Sequence, residues 1–215
     1  MNQNSALGES PRVTGVNHLA FITEDMERTI RFYRDLLGME LVAGIGHDGY
    51  RHYFFKFGDA QIAFFEYDGA RPMEYKFHGV MTNKPLGFDH LSLTVESKED
   101  LFAFKDRLEA AGVEVTGAID HGTIWSIYFF DHNVIPLEIS WECMEMLVVP
   151  AMSEDDPMDI VAEGSGPQPG VWPAVTKPTP PAQMVASPGN GLPMRETFLR
   201  EGKARLKDGF PAAAE

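Results

Sequence analysis

The sequence has one cysteine, few basic residues and no long apolar run, and each shortage excludes a class of protein. Cys143 cannot form a disulfide within the chain, which suits a reducing cytoplasm. Lysine and arginine number 18 against 32 acidic residues, so the net charge of −14 repels nucleic acid and anionic membranes. No segment reaches the about 18 apolar residues of a membrane span, and the first residues lack a signal-peptide pattern. We therefore expect a cytoplasmic protein without nucleic-acid or membrane partners.

Hydrophobic residues make up 44% of the sequence and charged residues 23%, a composition that is normal for a globular protein. Proline and glycine become frequent after about residue 149, where the apolar periodicity ends. These shifts divide the sequence into an N-terminal arm (1–12), a globular domain (13–148) and a Pro/Gly-rich extension (149–215). Within the extension, residues 194–207 predict one short helix.

The globular domain contains an internal repeat. Residues 16–21 read Val-Asn-His-Leu-Ala-Phe and residues 88–93 read Phe-Asp-His-Leu-Ser-Leu. Each hexapeptide predicts a strand and is followed by apolar residues at spacings of three to four, which predict a helix that ends at Gly38 or Gly112. Such a repeat is typical of a duplicated structural unit.

Helix-start signals and extended stretches complete each copy. Thr23 or Asp25 is placed to cap the first helix, and Ser97 with Asp100 resembles a capping box for the second. Three extended stretches follow each helix, at about 39–45, 50–57 and 60–67 in the first copy and about 113–119, 124–130 and 134–141 in the second. The sequence thus predicts an α+β fold of two βαβββ modules, at about 13–68 and 86–142.

A histidine and a glutamate recur at matched places in the two modules. The same 48 positions separate His18 from Glu66 and His90 from Glu138. The neighbours of His18 and of Glu66 on the same strand faces are apolar, and an ionised carboxylate there is costly unless it is paired or binds a cation. If the curved sheets of the modules face each other, the four side chains converge. Imidazole and carboxylate ligands suit divalent iron, manganese, nickel or zinc.

Other interpretations of these four residues stay open at this point. A lone histidine on an apolar strand face is more often a hydrogen-bonded core residue than a ligand. A glutamate at a strand end is usually solvated. A gene duplication that retained inert residues would also produce the matched spacing.

The chain resembles the vicinal oxygen chelate superfamily, which includes glyoxalase I, methylmalonyl-CoA epimerase, fosfomycin-resistance proteins and extradiol dioxygenases. The resemblance covers about residues 13–142 and rests on the doubled βαβββ unit, the stretch 29–38 and the four positions above. It implies a curved, incompletely closed eight-stranded barrel around a metal held by His18, His90 and Glu138, and a homodimer. In glyoxalase-type members the position of Glu66 is a fourth ligand.

The second module is similar to the extradiol dioxygenase pattern. In that family, residues at the positions of His121 and Tyr128 line the catechol site and hydrogen-bond the substrate, and Glu138 is the carboxylate ligand. Two positions depart from the pattern: His132 stands where proline is usual, and Val134 where glycine or proline is usual. The resemblance implies an Fe(II)-dependent cleavage of a catechol-like aromatic diol with O2.

Two alternative functions fit the same resemblance. In a glyoxalase I-like lyase, epimerase or isomerase, Glu66 or Glu138 would move a proton between substrate carbons beside a nickel or zinc ion. In a ligand-sequestering protein of the bleomycin-resistance type, the cleft would bind its ligand without a metal. His121 and Tyr128 favour ring cleavage, whereas Glu66 favours proton transfer.

Overall fold

The structure is a computed structural model that describes residues 15–47, 50–81, 88–153, 158–166, 168, 170, 173–189, 191–208 and 210. The predicted N-terminal arm at 1–12 lies outside these residues. The chain divides into two compact units between Met144 and Glu145.

The first module has the predicted βαβββ order. Its helix starts where Asp25 caps it by accepting a hydrogen bond from the backbone N–H of Arg28 at 2.9 Å. The α-helix continues directly into a π-helical segment, which the sequence did not predict. The elements are β1 (His18–Thr23), α1 (Met26–Ile30), the π-helical segment (Arg31–Leu36), β2 (Glu40–His47), β3 (Tyr50–Phe57) and β4 (Ala60–Glu66). They form a sheet of order β1-β4-β3-β2, in which β1 is parallel to β4.

The second module repeats this topology with the sheet order β5-β8-β7-β6. Its elements are β5 (Leu91–Thr94), α2 (Lys98–Ala110), β6 (Ile119–Asp120), β7 (Ile124–Phe130) and β8 (Pro136–Glu142). Ser97 caps α2, as predicted, by accepting from the N–H of Asp100 at 3.1 Å. The predicted strand at 113–119 is reduced to a bridge between Val115 and Phe129 and the two residues of β6. Gly117 lies between these pairings, and a glycine weakens a strand.

The predicted fold class is confirmed. Eight strands form two four-stranded mixed sheets that do not close into a barrel, with the helices on one side of each sheet. The helix-facing side of the first sheet buries Ile62 and Phe64 against Tyr33, and that of the second buries Ile127 against Leu101. Each such side chain contributes about 1.5–3 kcal/mol of hydrophobic stabilisation. The opposite sides of the sheets carry His18 and His90.

A polar network joins the helix of the first module to the turn between β7 and β8. The Tyr33 hydroxyl donates to Asp131 Oδ2 at 3.1 Å, and the Thr23 hydroxyl donates to Asn133 Oδ1 at 3.0 Å. Asp131 Oδ1 also accepts from the N–H groups of Asn133 and Ile135, at 2.8 Å each. Val134 in this turn has φ 61°, in the left-handed region that a β-branched residue rarely adopts. The turn therefore keeps a glycine-type conformation without a glycine.

The second unit contains a helix, α3 (Leu192–Arg200), and two short 3-10 turns (Asp159–Glu163 and Pro181–Gln183). The helix in the structure thus starts two residues before the predicted helix at 194–207 and also ends before it. Gly202, with φ 66°, makes the left-handed turn that terminates it. Among the described residues, no helix has the length and apolar character needed to cross a membrane.

Candidate metal site

His90 and Glu138 lie together on the open side of the second sheet. Glu138 pairs with Ser92 in the β5–β8 register. His90 lies two residues before Ser92, so the alternation of side chains places His90 on the same face as Glu138. His90 Nε2 lies 2.8 Å from Glu138 Oε2. The structure therefore brings these two predicted ligands into direct contact.

Glu138 is almost fully buried, with 2% of its surface exposed. Its Oε1 finds no hydrogen-bond donor among the described residues. Burial raises the pKa of Glu138, but the nearby hydroxyls of Ser126, Ser140 and Tyr128 and the His90 ring outweigh burial, and the pKa lies below its ordinary value. Glu138 thus presents a buried, ionised carboxylate with one oxygen unpartnered, and such groups usually pair with a cation.

Asp89 orients the His90 ring. His90 Nδ1 donates to Asp89 Oδ1 at 2.6 Å, which leaves Nε2 on the side of Glu138. Lys76, His90 and the N–H of Gly79 hold the pKa of Asp89 well below its usual range, so this carboxylate stays charged. A carboxylate behind an imidazole is the arrangement that commonly fixes a metal-binding histidine.

His121 and Tyr128 are also at this face. Tyr128 pairs with Glu138 across β7 and β8, and its hydroxyl lies 2.9 Å from His121 Nε2. The Tyr128 ring also meets the His90 ring edge-on, with centroids 5.8 Å apart. Burial and the charge of Glu138 raise the pKa of Tyr128, so its hydroxyl stays protonated and able to donate.

His78 is a further residue of this site, and it lies outside the repeated motifs. It comes from the segment between the modules, is 6% exposed, and lies with its ring 4.8 Å from those of Tyr128 and Phe130 and 5.8 Å from that of His90. Burial lowers its pKa, which keeps the ring neutral. Because His78 is outside both repeats, no spacing could have predicted its place.

His18 occupies the corresponding position on the first sheet. Its Nδ1 donates to Asn17 Oδ1 at 2.8 Å, as His90 does to Asp89, and its side chain is exposed. Ala20, two residues after His18, pairs with Ala63, just as Ser92, two residues after His90, pairs with Glu138. Ala63 therefore occupies the place that Glu138 has in the second module. The first sheet thus has no carboxylate at the place that Glu138 occupies in the second.

Glu66 lies on the opposite side of the first sheet. It pairs with Thr23, five positions along β1 from His18, and an odd separation reverses the face. Glu66 Oε1 accepts from the N–H of Met26 at 2.7 Å, at the start of α1, and Oε2 forms an ion pair with Arg51. The structure does not bring Glu66 to His18, so the predicted fourth ligand has structural partners instead.

The equal 48-residue spacings therefore do not mark equivalent places. Paired positions of the first and last strands are 43 residues apart in the first module (Leu19 with Ile62) and 46 in the second (Leu91 with Leu137). The second module has three more residues between its paired strand positions, so equal residue spacings reach different places on the last strands of the two modules. Within the part of one chain that the structure describes, no three His, Cys, Asp or Glu side chains are close enough to hold a metal.

The fold thus consists of two βαβββ modules, each with a histidine at or directly before the start of its first strand. The family model described as the Glyoxalase/Bleomycin resistance protein/Dioxygenase superfamily matches residues 15–139, more than half of the chain. The chain belongs to this superfamily, as the resemblance predicted.

Several solved structures are similar to this chain. A glyoxylase/bleomycin resistance protein/dioxygenase domain from Frankia sp. EAN1pec is 25% identical, with a TM-score of 0.53 over 61% of this chain and 99% of that one. The fosfomycin resistance protein FosX from Listeria monocytogenes, in complex with Mn(II) and sulfate, is 20% identical, with a TM-score of 0.49 over 62% and 96%. Lactoylglutathione lyase from Agrobacterium tumefaciens is 20% identical, with a TM-score of 0.46 over 61% and 96%. No curated protein matches the sequence significantly.

Proposed function

We propose that this protein is a metal-dependent enzyme whose metal is held by His18, His90 and Glu138. The observation that carries the proposal is the contact between His90 Nε2 and Glu138 Oε2, beside a buried carboxylate oxygen to which no described residue donates. Two imidazoles and one carboxylate are a ligand set that suits Fe(II), Mn, Ni or Zn and leaves positions open for substrate. Asp89 and Asn17 would fix the two imidazoles behind the metal.

His18 of a second copy would complete the site. One chain supplies His90 and Glu138 together, whereas its own His18 is exposed on the other sheet and joins no three-residue cluster among the described residues. The face around His18 also exposes apolar side chains, with Val16 56% and Ile22 53% exposed. A homodimer that places this face over the second sheet of its partner would cover them and supply the third ligand.

We favour an extradiol-type ring cleavage of a catechol-like diol over a glyoxalase-type proton transfer. His121 and Tyr128 lie near His90 and Glu138, an arrangement that supports the dioxygenase interpretation. Of the two glutamates that could move a proton in the alternative, Glu66 faces the other side of its sheet, which leaves Glu138 alone for that role. When bound, the metal supplies a centre at which two adjacent substrate oxygens and dioxygen can meet.

Side chains of this face would position the diol and handle its protons. The Tyr128 hydroxyl is protonated and donates to a substrate oxygen. His121 Nε2, 2.9 Å from that hydroxyl, holds its orientation and can accept or return a proton. His78 and Phe130 add flat ring surface beside Tyr128, which suits an aromatic substrate.

Oxygen consumption tests this function. Protein purified without oxygen and loaded with Fe(II) is mixed with a panel of catechols in an oxygen electrode, and ring-opened products are followed by their absorbance. We expect uptake that falls by about 10²–10⁴-fold in His121→Ala, as for loss of a general acid–base group. Phe130→Leu serves as a control that changes the wall and leaves the proton-handling groups. If no catechol supports uptake while the glutathione hemithioacetal of methylglyoxal is converted, the glyoxalase-type alternative replaces this proposal.

A further inference from the structure

A cavity lies beside the candidate metal site and shares Phe130 with it. It measures about 690 Å³ and opens to solvent between the helix of the first module and the end of α2 and of β7. None of the three proposed metal ligands lines it. Its walls include Phe32 and Leu36 from the π-helical segment, Val113 after α2, and Tyr75 and Phe130. A volume in the range of about 300–1,000 Å³ is typical of small-molecule sites.

The walls suit a flat apolar ligand. Phe32, Tyr75 and Phe130 present three aromatic rings, and Tyr75 and Phe130 lie together with centroids 4.7 Å apart. Leu36 and Val113 add aliphatic surface. Offset or edge-on contacts with such rings stabilise a bound aromatic ring beyond the area that it buries.

Two costly backbone conformations border the same cavity. Residues Arg31–Leu36 form a π-helical segment, and π-helical turns are rare and frequently lie at functional sites. Val134, which also lines the cavity, holds a left-handed φ of 61°. Conformations of this kind persist where the surrounding structure enforces them, and they cluster at ligand sites. The cavity is thus bordered at two places by backbone that the sequence alone would not favour.

One positive charge at the cavity, that of Arg28, forms no ion pair with another described residue. Arg31 is paired with Asp35, whereas Arg28 forms no ion pair within the described part of the chain. Asp131 is already engaged by Tyr33 and by backbone N–H groups. Glu114 and Arg28 are both exposed at the wall, and no ion pair joins them among the described residues. Arg28 therefore remains available for a carboxylate, which a guanidinium binds in a two-pronged geometry.

We propose that this cavity binds an aromatic carboxylate, with Arg28 on the carboxylate and the ring between Phe32 and Tyr75. The site requires no metal and does not depend on the proposed reaction.

The probe is 1-naphthoate, titrated into the metal-loaded full chain by calorimetry. We expect one saturable site per chain, weakened by about tenfold or more in Arg28→Gln because a charge-assisted contact is lost. Ala111→Trp, at an exposed lining position, should fill the cavity and abolish binding. Arg71→Gln and Ala103→Trp, which are exposed outside the cavity, are the matched controls and should leave affinity within about twofold.

Two further measurements separate this site from the metal site and from nonspecific stacking. Binding should survive in His90→Ala, and neutral 1-naphthalenemethanol should bind about tenfold or more weakly than 1-naphthoate. Loss of naphthoate binding in His90→Ala would assign the probe to the metal site and overturn the proposal. Equal binding in wild type and in both Arg28→Gln and Ala111→Trp, or no saturable binding at all, would also overturn it.

Discussion

Glu66 and Glu138 are glutamates in the last strands of their modules, yet they have opposite surroundings. Glu138 is buried on the open face beside His90, whereas Glu66 faces α1 and accepts from the N–H of Met26. Counting residues from each histidine could not distinguish them. The face on which each glutamate lies depends on whether its pairing partner is an odd or an even number of residues from the histidine. The difference of three residues between the strands of the two modules reverses that face.

Substitution of Glu66 should therefore change stability and leave metal binding intact. Glu66→Ala removes the acceptor at the start of α1, so the free energy of unfolding should fall by about 1 kcal/mol. The ion pair with Arg51, whose side chain is exposed, adds little. Urea unfolding measures the loss, and metal analysis of the same sample measures occupancy. Metal lost from Glu66→Ala at temperatures where it is fully folded would show that Glu66 is a ligand after all.

The sequence predicted part of the site at the scale of single residues. His90 and Glu138 were predicted from the repeat, and His121 and Tyr128 were implied by the family resemblance; the structure brings all four together. The repeat does not indicate His78, because it reaches the site from a connecting segment. Asp89 and Asn17, which hydrogen-bond to the two histidines, directly precede them in the sequence. This adjacency alone does not show how the rings are oriented.

At the scale of elements, the helix starts and stops were predicted most reliably. Asp25 and Ser97 cap the helices, and Gly38 and Gly112 end them with positive φ. These features depend on local chemistry, which a sequence shows directly. The π-helical segment was not predicted, because apolar spacings of three to four do not distinguish it from an α-helix.

The turn between β7 and β8 contains a conformation that glycine would adopt more easily. Val134 has φ 61°, which costs a residue with a side chain roughly 1–2 kcal/mol. Val134→Gly should raise the free energy of unfolding by about 0.5–1 kcal/mol, because the relief exceeds the additional entropy of the unfolded chain. Thermal unfolding at neutral pH checks this increase. A clear decrease would mean that packing of the valine side chain outweighs the strain.

The inter-module network predicts a pH dependence. Burial raises the pKa of Asp131 above its unfolded value of about 3.9. The folded chain then binds this proton more tightly than the unfolded chain. The contribution of Asp131 to stability is therefore greatest below about pH 3.9 and falls as the pH rises through the folded-state pKa.

Asp131→Asn tests this dependence because the variant has no proton to lose at this position. The stability of the wild type relative to Asp131→Asn should decrease as the pH rises above about 4. Urea unfolding at a series of pH values measures it, and the difference cancels the contributions of other groups. A difference that is constant with pH would contradict the raised pKa.

At the scale of the whole molecule, the duplicated architecture was predicted from the repeat. Residues 16–21 recur in 88–93, which predicted two modules, and two matching sheets are present. Convergence of all four predicted ligands required that the curved sheets of two modules face each other, within one chain or across a dimer. Within the described residues of a single chain, no such cluster forms.

A shared site predicts complementation between inactive variants. His18→Ala and the double variant His90→Ala with Glu138→Ala should each lack bound metal as homodimers. Unfolding and refolding the two together should form mixed dimers in which one of the two sites has all its wild-type ligands, and metal should return to that site. The measurement is metal content after isolating the mixed dimer by two different affinity tags. No recovery in a folded mixed dimer would place the three ligands in one chain.

Metal content of a set of folded variants tests the metal-site proposal most directly. Wild type, His18→Ala, His90→Ala, Glu138→Ala and Glu66→Ala are loaded with Fe(II) or Mn(II) under identical conditions and analysed for bound metal per chain. The account predicts about one ion per chain in wild type and Glu66→Ala, and affinity reduced by a factor of about 10 or more in the other three. Full metal occupancy in His18→Ala or His90→Ala would contradict it.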